Sequence, residues 1–171
     1  MPGEESIDAR EAMESILRKE TLGFLGVCRN DEPYVVPLTY AYAGGRIIFH
    51  CARTGLKLDF LKANPRVCFT VGREHGEIIR HPQGGSCNAD HESVICRGRA
   101  RIIEDLEERR EALDTFNRRF KSGAEAITPE AASTCMAVEI QVDEMTGRQW
   151  GRGKRARWDC RLRPGAEEAA P

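Results

Sequence analysis

The sequence predicts a small antiparallel β-barrel with helices packed around its openings. Three observations carry this. Most apolar segments are short, β-rich and bounded by turn residues. The order of elements is helix, three strands, short helix, strand, long strand, helix, strand, which lacks the strand–helix alternation of a doubly wound sheet. At 171 residues the chain has the size of one domain with a proper core.

Each element has its own signal. Residues Asp8 to Lys19 read as a helix, with Asp8 as cap, Glu11 as its box partner, and Met13, Ile16 and Leu17 on one face. The period then shortens. "LGFLGVCR" (22–29), "YVVPLTYAY" (34–42) and "RIIFHC" (46–51) read as strands, joined by turns at Asn30-Asp31-Glu32-Pro33 and Ala43-Gly44-Gly45. That arrangement predicts two successive hairpins. Pro37 cannot donate to a ladder, so its strand is expected to be bulged or at an edge there. "LKLDFLKAN" after Gly55 reads as a short helix with Leu56, Phe60 and Leu61 inward, ended by Asn64-Pro65.

"RVCFTV" (66–71) is the next strand, and the Gly-, His- and Pro-rich residues 72–91 read as an excursion. "SVICRGRARIIED" (93–105) is a long strand with a bend expected at Gly98. Leu106 to Phe120 forms a helix capped by Asp105, with Glu108 completing the box and Leu113, Phe116 and Phe120 inward. "CMAVEIQVDEM" (135–145) is the last strand. This divides the chain into a barrel domain, 1–146, and a basic C-terminal extension, 147–171, whose final "RPGAEEAAP" has a disordered composition.

Composition excludes several function classes. Charged residues make up 31% of the chain but sum to a formal net of −1, so no whole-protein field drives nucleic-acid or anionic-membrane binding. No apolar run approaches the length of a membrane span. The acidic N-terminus lacks the order of a signal peptide, and a cytoplasmic location is expected. Seven scattered cysteines without a C-x-x-C pair read as reduced thiols, most of them within strands. No dinucleotide fingerprint, Walker loop, nucleophile elbow or zincin motif occurs.

The chemical lead is "FHCARTGLK" (49–57), where a strand passes through Arg53, Gly55 and Lys57 into a helix. Free N–H groups at a helix start, with a glycine permitting close approach, suit an anion. The bland reading is an ordinary polar loop.

The segments "YVVPLTYAY…RIIFHCARTGLKLDFLKANPRVCFTV", "HESVICRGRARIIEDLEERREAL" and "VEIQVDEMTGR" resemble the FMN-binding split-barrel proteins related to pyridoxamine 5′-phosphate oxidase, and within them the nitroimidazole-resistance type. The resemblance implies a six-stranded antiparallel Greek-key split β-barrel with flanking helices, and a homodimer with FMN at the interface. It implies that Val35, Val36, Pro37, Leu38, Thr39 and Tyr40 run beside the flavin ring. Phe49, His50, Cys51 and Ala52 would line the approach to the phosphate, and Gly55, Leu56 and Lys57 would hold it, with Arg53 nearby. Ser93 and Trp150 would reach the flavin from the partner. The strand that carries cations in the vitamin B6 oxidases here reads "YVVPLTY", which argues against pyridoxamine phosphate as substrate.

The expected function is therefore an FMN-dependent oxidoreductase of a small molecule, with His50 as candidate proton donor. The alternatives are a non-catalytic flavin or haem binder, since some split-barrel relatives hold haem through histidine, and a nucleic-acid binder using the seven cations and two tryptophans of residues 147–163. His75, His81, Cys87 and His91 share a region, but their spacing fits no standard metal site, and no metal is expected.

Overall fold

The structure, a computed structural model, describes residues 9–76, 79–80, 87–88, 90–151 and 154–161, of which 79–80, 87–88, 151 and 154–156 are described by backbone alone. The elements run α1 (Ala9–Lys19), β1 (Leu22–Arg29), β2 (Glu32–Thr39), β3 (Ala41–Ala43), β4 (Arg46–Cys51), α2 (Leu56–Ala63), β5 (Arg66–Glu74), β6 (Ile79–Arg80), β7 (Cys87–Asn88), β8 (His91–Ile103), α3 (Leu106–Phe120), α4 (Pro129–Ser133), β9 (Met136–Gly151) and β10 (Lys154–Arg161). The expected cap at Asp8 and the final residues 162–171 lie outside the described residues.

Both expected hairpins form. Asn30 and Asp31 take φ of 49° and 63°, and Gly44 and Gly45 take 56° and 72°. Two consecutive positive φ values twist a two-residue turn to match the strands it joins. The second predicted strand is two strands. The main sheet is ordered β2-β1-β5-β8-β9-β4-β3, with β10 on β9, so β2 and β3 lie at opposite ends of this path although only Tyr40 separates them. The chain turns its corner at Tyr40 and thereby ties the two ends into a barrel. Tyr40 is fully buried, and its hydroxyl donates to the Leu17 carbonyl at 2.8 Å. Pro37 lies on the edge strand β2, where a missing N–H costs no inner ladder bond.

This split, together with β10, raises the strand count of the main sheet from six to eight; β6 and β7 pair separately. The described part of the basic extension, residues 147–151 and 154–161, is strand joined to the main sheet. β9 runs unbroken through residue 146, and β10 pairs with it from Lys154↔Gly151 to Arg161↔Glu144. Trp158 and Cys160 turn inward and pack on the barrel core.

Two apolar clusters hold the fold. The larger fills the barrel with Leu25, Phe49, Phe60, Phe69, Val138 and Ile140 among others. The smaller lies between α3 and the sheet, where Leu113 and Phe116 meet Ile48, Ile103 and Ala137. Arg109, only 6% exposed, fastens this layer by donating to the carbonyls of Ile103 and Glu104 at 3.0 and 2.7 Å. Leu56 is half exposed rather than inward, and Leu58 takes its place in the core. Phe120 is likewise exposed. Asp105 accepts from the Glu108 N–H at 2.9 Å, but the Glu108 carboxylate turns to Arg101 instead of closing the box. Among the described residues no helix is long and apolar enough to cross a membrane.

Candidate functional site

Strand alternation decides which predicted residues meet. On β4, Phe49 points into the barrel and is fully buried, and Cys51 follows on the same side. His50 points the opposite way, edge-on to Phe116 of α3 with ring centroids 4.9 Å apart. On β2, Val36 and Leu38 turn inward, whereas Val35, Pro37 and Thr39 lie on the outer face. Tyr40 belongs to the core.

A cleft of about 210 Å³ opens where β2, the end of β4 and the start of α2 converge. Tyr34, Val36 and Cys51 form one wall, and Ala52, Thr54 and the turn Gly55-Leu56-Lys57-Leu58 form the other. The structure thus gathers Val36, Cys51, Ala52, Gly55, Leu56 and Lys57 from the predicted set. It adds Tyr34, Thr54 and Leu58. Tyr34 lies two residues before Val36, so period-2 alternation is the signal that reaches it.

The turn has the features of an anion cradle. Gly55 is the N-cap of α2 at φ 140° and ψ 164°, a region essentially restricted to glycine. No side chain caps this helix, and the N–H groups of Leu56 and Lys57 have no acceptor among the described residues. A Cβ placed on Gly55 would meet nothing within 4 Å, so the space above the turn is open. The Lys57 ammonium lies 5.4 Å from the centre of the Phe49 ring and forms no ion pair among the described residues. Burial pushes the Cys51 thiol above its ordinary pKa, while the nearby Lys57 charge pulls it down.

Ten predicted residues do not line this cleft: Val35, Pro37, Leu38, Thr39, Tyr40 and Phe49, as placed above, and His50, Arg53, Ser93 and Trp150. Arg53 donates to the Ser133 carbonyl at 2.7 Å and ties the loop to α4. His50 is not in the cleft, because one step along β4 reverses the side chain. Ser93 lines a second cleft, of about 540 Å³, on the outer face of β8, β9 and β10, and Trp150 shares that face by register. The two clefts have no residue in common. His75 contacts Arg73 and Glu92, and His91 lines the second cleft; His81 lies outside the described residues, and Cys87 is described by backbone alone.

The profile of the pyridoxamine 5′-phosphate oxidase family matches residues 9–149. The chain belongs to this family. A candidate 5-nitroimidazole antibiotic resistance protein from Bacteroides thetaiotaomicron is 31% identical and superposes with a TM-score of 0.72, over 82% of this chain and 84% of that one. The FAD and heme binding protein from Mycobacterium smegmatis superposes with a TM-score of 0.73 at 16% identity, over 95% and 90% of the two chains, a likeness of fold. An uncharacterized protein of Rhizobium meliloti (strain 1021) is 27% identical over 151 residues, 82% of this chain and 91% of that protein.

Proposed function

We propose that this family member binds FMN, with the phosphate on the Gly55-Leu56-Lys57 turn, and acts as a flavin-dependent oxidoreductase of a small molecule. The observation that carries this reading is the uncapped start of α2, open above Gly55, with a lysine in its first turn that forms no ion pair among the described residues. A cation there opposes the helix dipole unless an anion binds between them. Bound flavin supplies one- and two-electron transfer. The protein's residues anchor it: Lys57 and the two free N–H groups face the phosphate, and Tyr34, Val36 and Cys51 wall the cleft.

One chain covers only part of such a ligand, because the cleft is smaller than the about 300–1,000 Å³ that encloses a drug-sized molecule. A homodimer completes the site in this reading, with Ser93 and Trp150 presented by the second copy. The likeness to the Bacteroides thetaiotaomicron protein makes nitroaromatic compounds the first substrate class to assay. A flavin carrier without turnover is the second reading, favoured by the position of His50 on the α3 side of β4.

Fluorescence titration with FMN and riboflavin tests the anchor. Lys57→Ala is expected to weaken FMN about ten- to a hundredfold, the value of a charge-assisted hydrogen bond, and to leave riboflavin unchanged. His50→Gln is expected to leave both affinities in place. Equal losses of FMN and riboflavin in Lys57→Ala would overturn the phosphate assignment, and a Soret band in the purified protein would replace flavin with haem.

A further inference from the structure

The protein has three tyrosines, and two of them engage their hydroxyls inside the fold. Tyr40 donates to the Leu17 carbonyl at 2.8 Å, and Tyr42 donates to Glu14 at 3.0 Å. Tyr34 differs. Its hydroxyl has no hydrogen-bond partner among the described residues, although the side chain is half-buried and lines the cleft at α2. A phenol partly withdrawn from water ordinarily finds an acceptor.

The ring itself is held in place. It packs on Phe60, which is fully buried, with centroids 5.4 Å apart, and the Arg29 guanidinium lies 4.5 Å from the centre of the same Phe60 ring. Phe60 belongs to α2, whose start forms the facing wall, so one helix fixes both sides of the cleft. That facing wall carries the Thr54 hydroxyl, the Lys57 ammonium and the N–H groups of the turn, and no carboxylate lines the cleft among the described residues. Donors on both walls with no acid between them suit an anion gripped from two sides.

We propose, on the flavin reading above, that the Tyr34 hydroxyl donates to the flavin phosphate from the β2 wall and thereby makes the site select FMN over FAD. In FMN the phosphorus carries three free oxygens and close to two negative charges, so donors can meet it from both walls. In FAD the same phosphorus has two free oxygens and a single charge, because the third oxygen is the bridge to the adenylate. The α2 turn can still hold those two. The oxygen left for Tyr34 is the bridge, which is a poor acceptor.

Isothermal titration calorimetry with FMN, FAD and riboflavin, on flavin-free wild type and Tyr34→Phe, tests this. The wild type is expected to bind FMN at least tenfold more tightly than FAD. Tyr34→Phe keeps the ring on Phe60 and is expected to weaken FMN about tenfold, the lower end for a hydrogen bond to a charged group, while FAD and riboflavin stay unchanged. Without flavin the variant should melt where the wild type melts, because the hydroxyl it removes holds nothing in the fold. Unchanged FMN affinity overturns the assignment. So does an equal loss of FMN and riboflavin, or a lowered melting temperature without flavin, since either makes Tyr34 a structural wall. FAD bound by the wild type as tightly as FMN overturns the selectivity. A wild type that binds none of the three overturns the flavin reading itself, and the role of Tyr34 with it.

Discussion

Glu14 sits on the buried face of α1, where a carboxylate is costly unless its oxygens are answered by donors. They are: Arg10 Nε and the Tyr42 hydroxyl donate to Oε1 at 2.7 and 3.0 Å, and Arg18 donates to Oε2 at 2.9 Å. Burial alone raises the pKa of Glu14, but hydrogen bonds from Arg10, Tyr42 and Arg18 outweigh it and leave the carboxyl below its ordinary range. A pKa lower in the folded than in the unfolded state stabilises the fold above the unfolded value, about 4.3, and this contribution fades as pH falls through the folded value. Glu14→Gln is therefore expected to cost about 1.5–3 kcal/mol at pH 7. It should also flatten the fall in stability below about pH 5, where the wild-type carboxylate begins to protonate in the unfolded chain. Urea unfolding at pH 7 and at several points down to pH 3 measures both. Parallel pH profiles for the two proteins would remove Glu14 from the acid response and leave it to Glu92, whose pKa is lowered by His75 and Arg73 against its burial.

At the scale of elements, Gly98 shows how one residue shapes a strand. The β8–β9 register slips between Arg97 and Gly98, and a Cβ on Gly98 would lie 2.0 Å from the Gln141 carbonyl oxygen. Backbone, unlike a flexible side chain, cannot move aside cheaply, so Gly98→Ala should cost on the order of 3 kcal/mol and broaden thermal unfolding. A Gly98→Ala protein within about 0.5 kcal/mol of wild type by denaturant melts would show that the bulge tolerates a side chain. The bend is legible in the sequence because a glycine interrupts an otherwise apolar alternation. The helices α1 and α3 are legible for the same kind of reason, since each carries an amphipathic period and α3 a working cap at Asp105. The break at Tyr40 is not legible. "YVVPLTYAY" is strand-like throughout, and only tertiary closure makes Tyr40 leave one end of the sheet for the other. The α2 face departs from expectation because Leu56 and Leu58 differ by less than a turn, and eight residues fix a helical face poorly. In the cleft, Gly55 and Lys57 are legible from residue type. The side of β4 that His50 occupies is not, because Ile47, Ile48 and Phe49 are all buried and an apolar run on both faces carries no alternation.

At the scale of the molecule, one outer face of the barrel carries several exposed apolar side chains. Register aligns Pro37, Phe24, Thr70, Ile95 and Thr146 in a single row across β2, β1, β5, β8 and β9. Phe24 and Ile95 are 41% and 39% exposed, and Val35 and Leu22 flank them at 62% and 52%. Scattered surface apolars are ordinary, but several on one outer face give a surface that a second copy would cover in the proposed homodimer. Strands β8 and β9 of this face also carry Ser93 and Trp150, the residues that the proposed homodimer would present to the flavin of the other copy. That is the arrangement the proposed flavin site requires, and it makes a thermodynamic demand. If FMN binds only the dimer, FMN must favour dimer over monomer, and it must raise the melting temperature with concentration, by about 2.7 kcal/mol of stability at a hundredfold excess over Kd. Phe24→Asp places a charge in the middle of the row without touching either cleft. It is expected to sediment as a folded monomer and to bind FMN at least tenfold more weakly, although Lys57 and the Gly55 turn are intact. Analytical ultracentrifugation of both proteins, with and without FMN, gives the comparison directly. A wild-type monomer that binds FMN, or a Phe24→Asp monomer that keeps full affinity, would place the whole flavin site within one chain and leave the apolar row to some other partner.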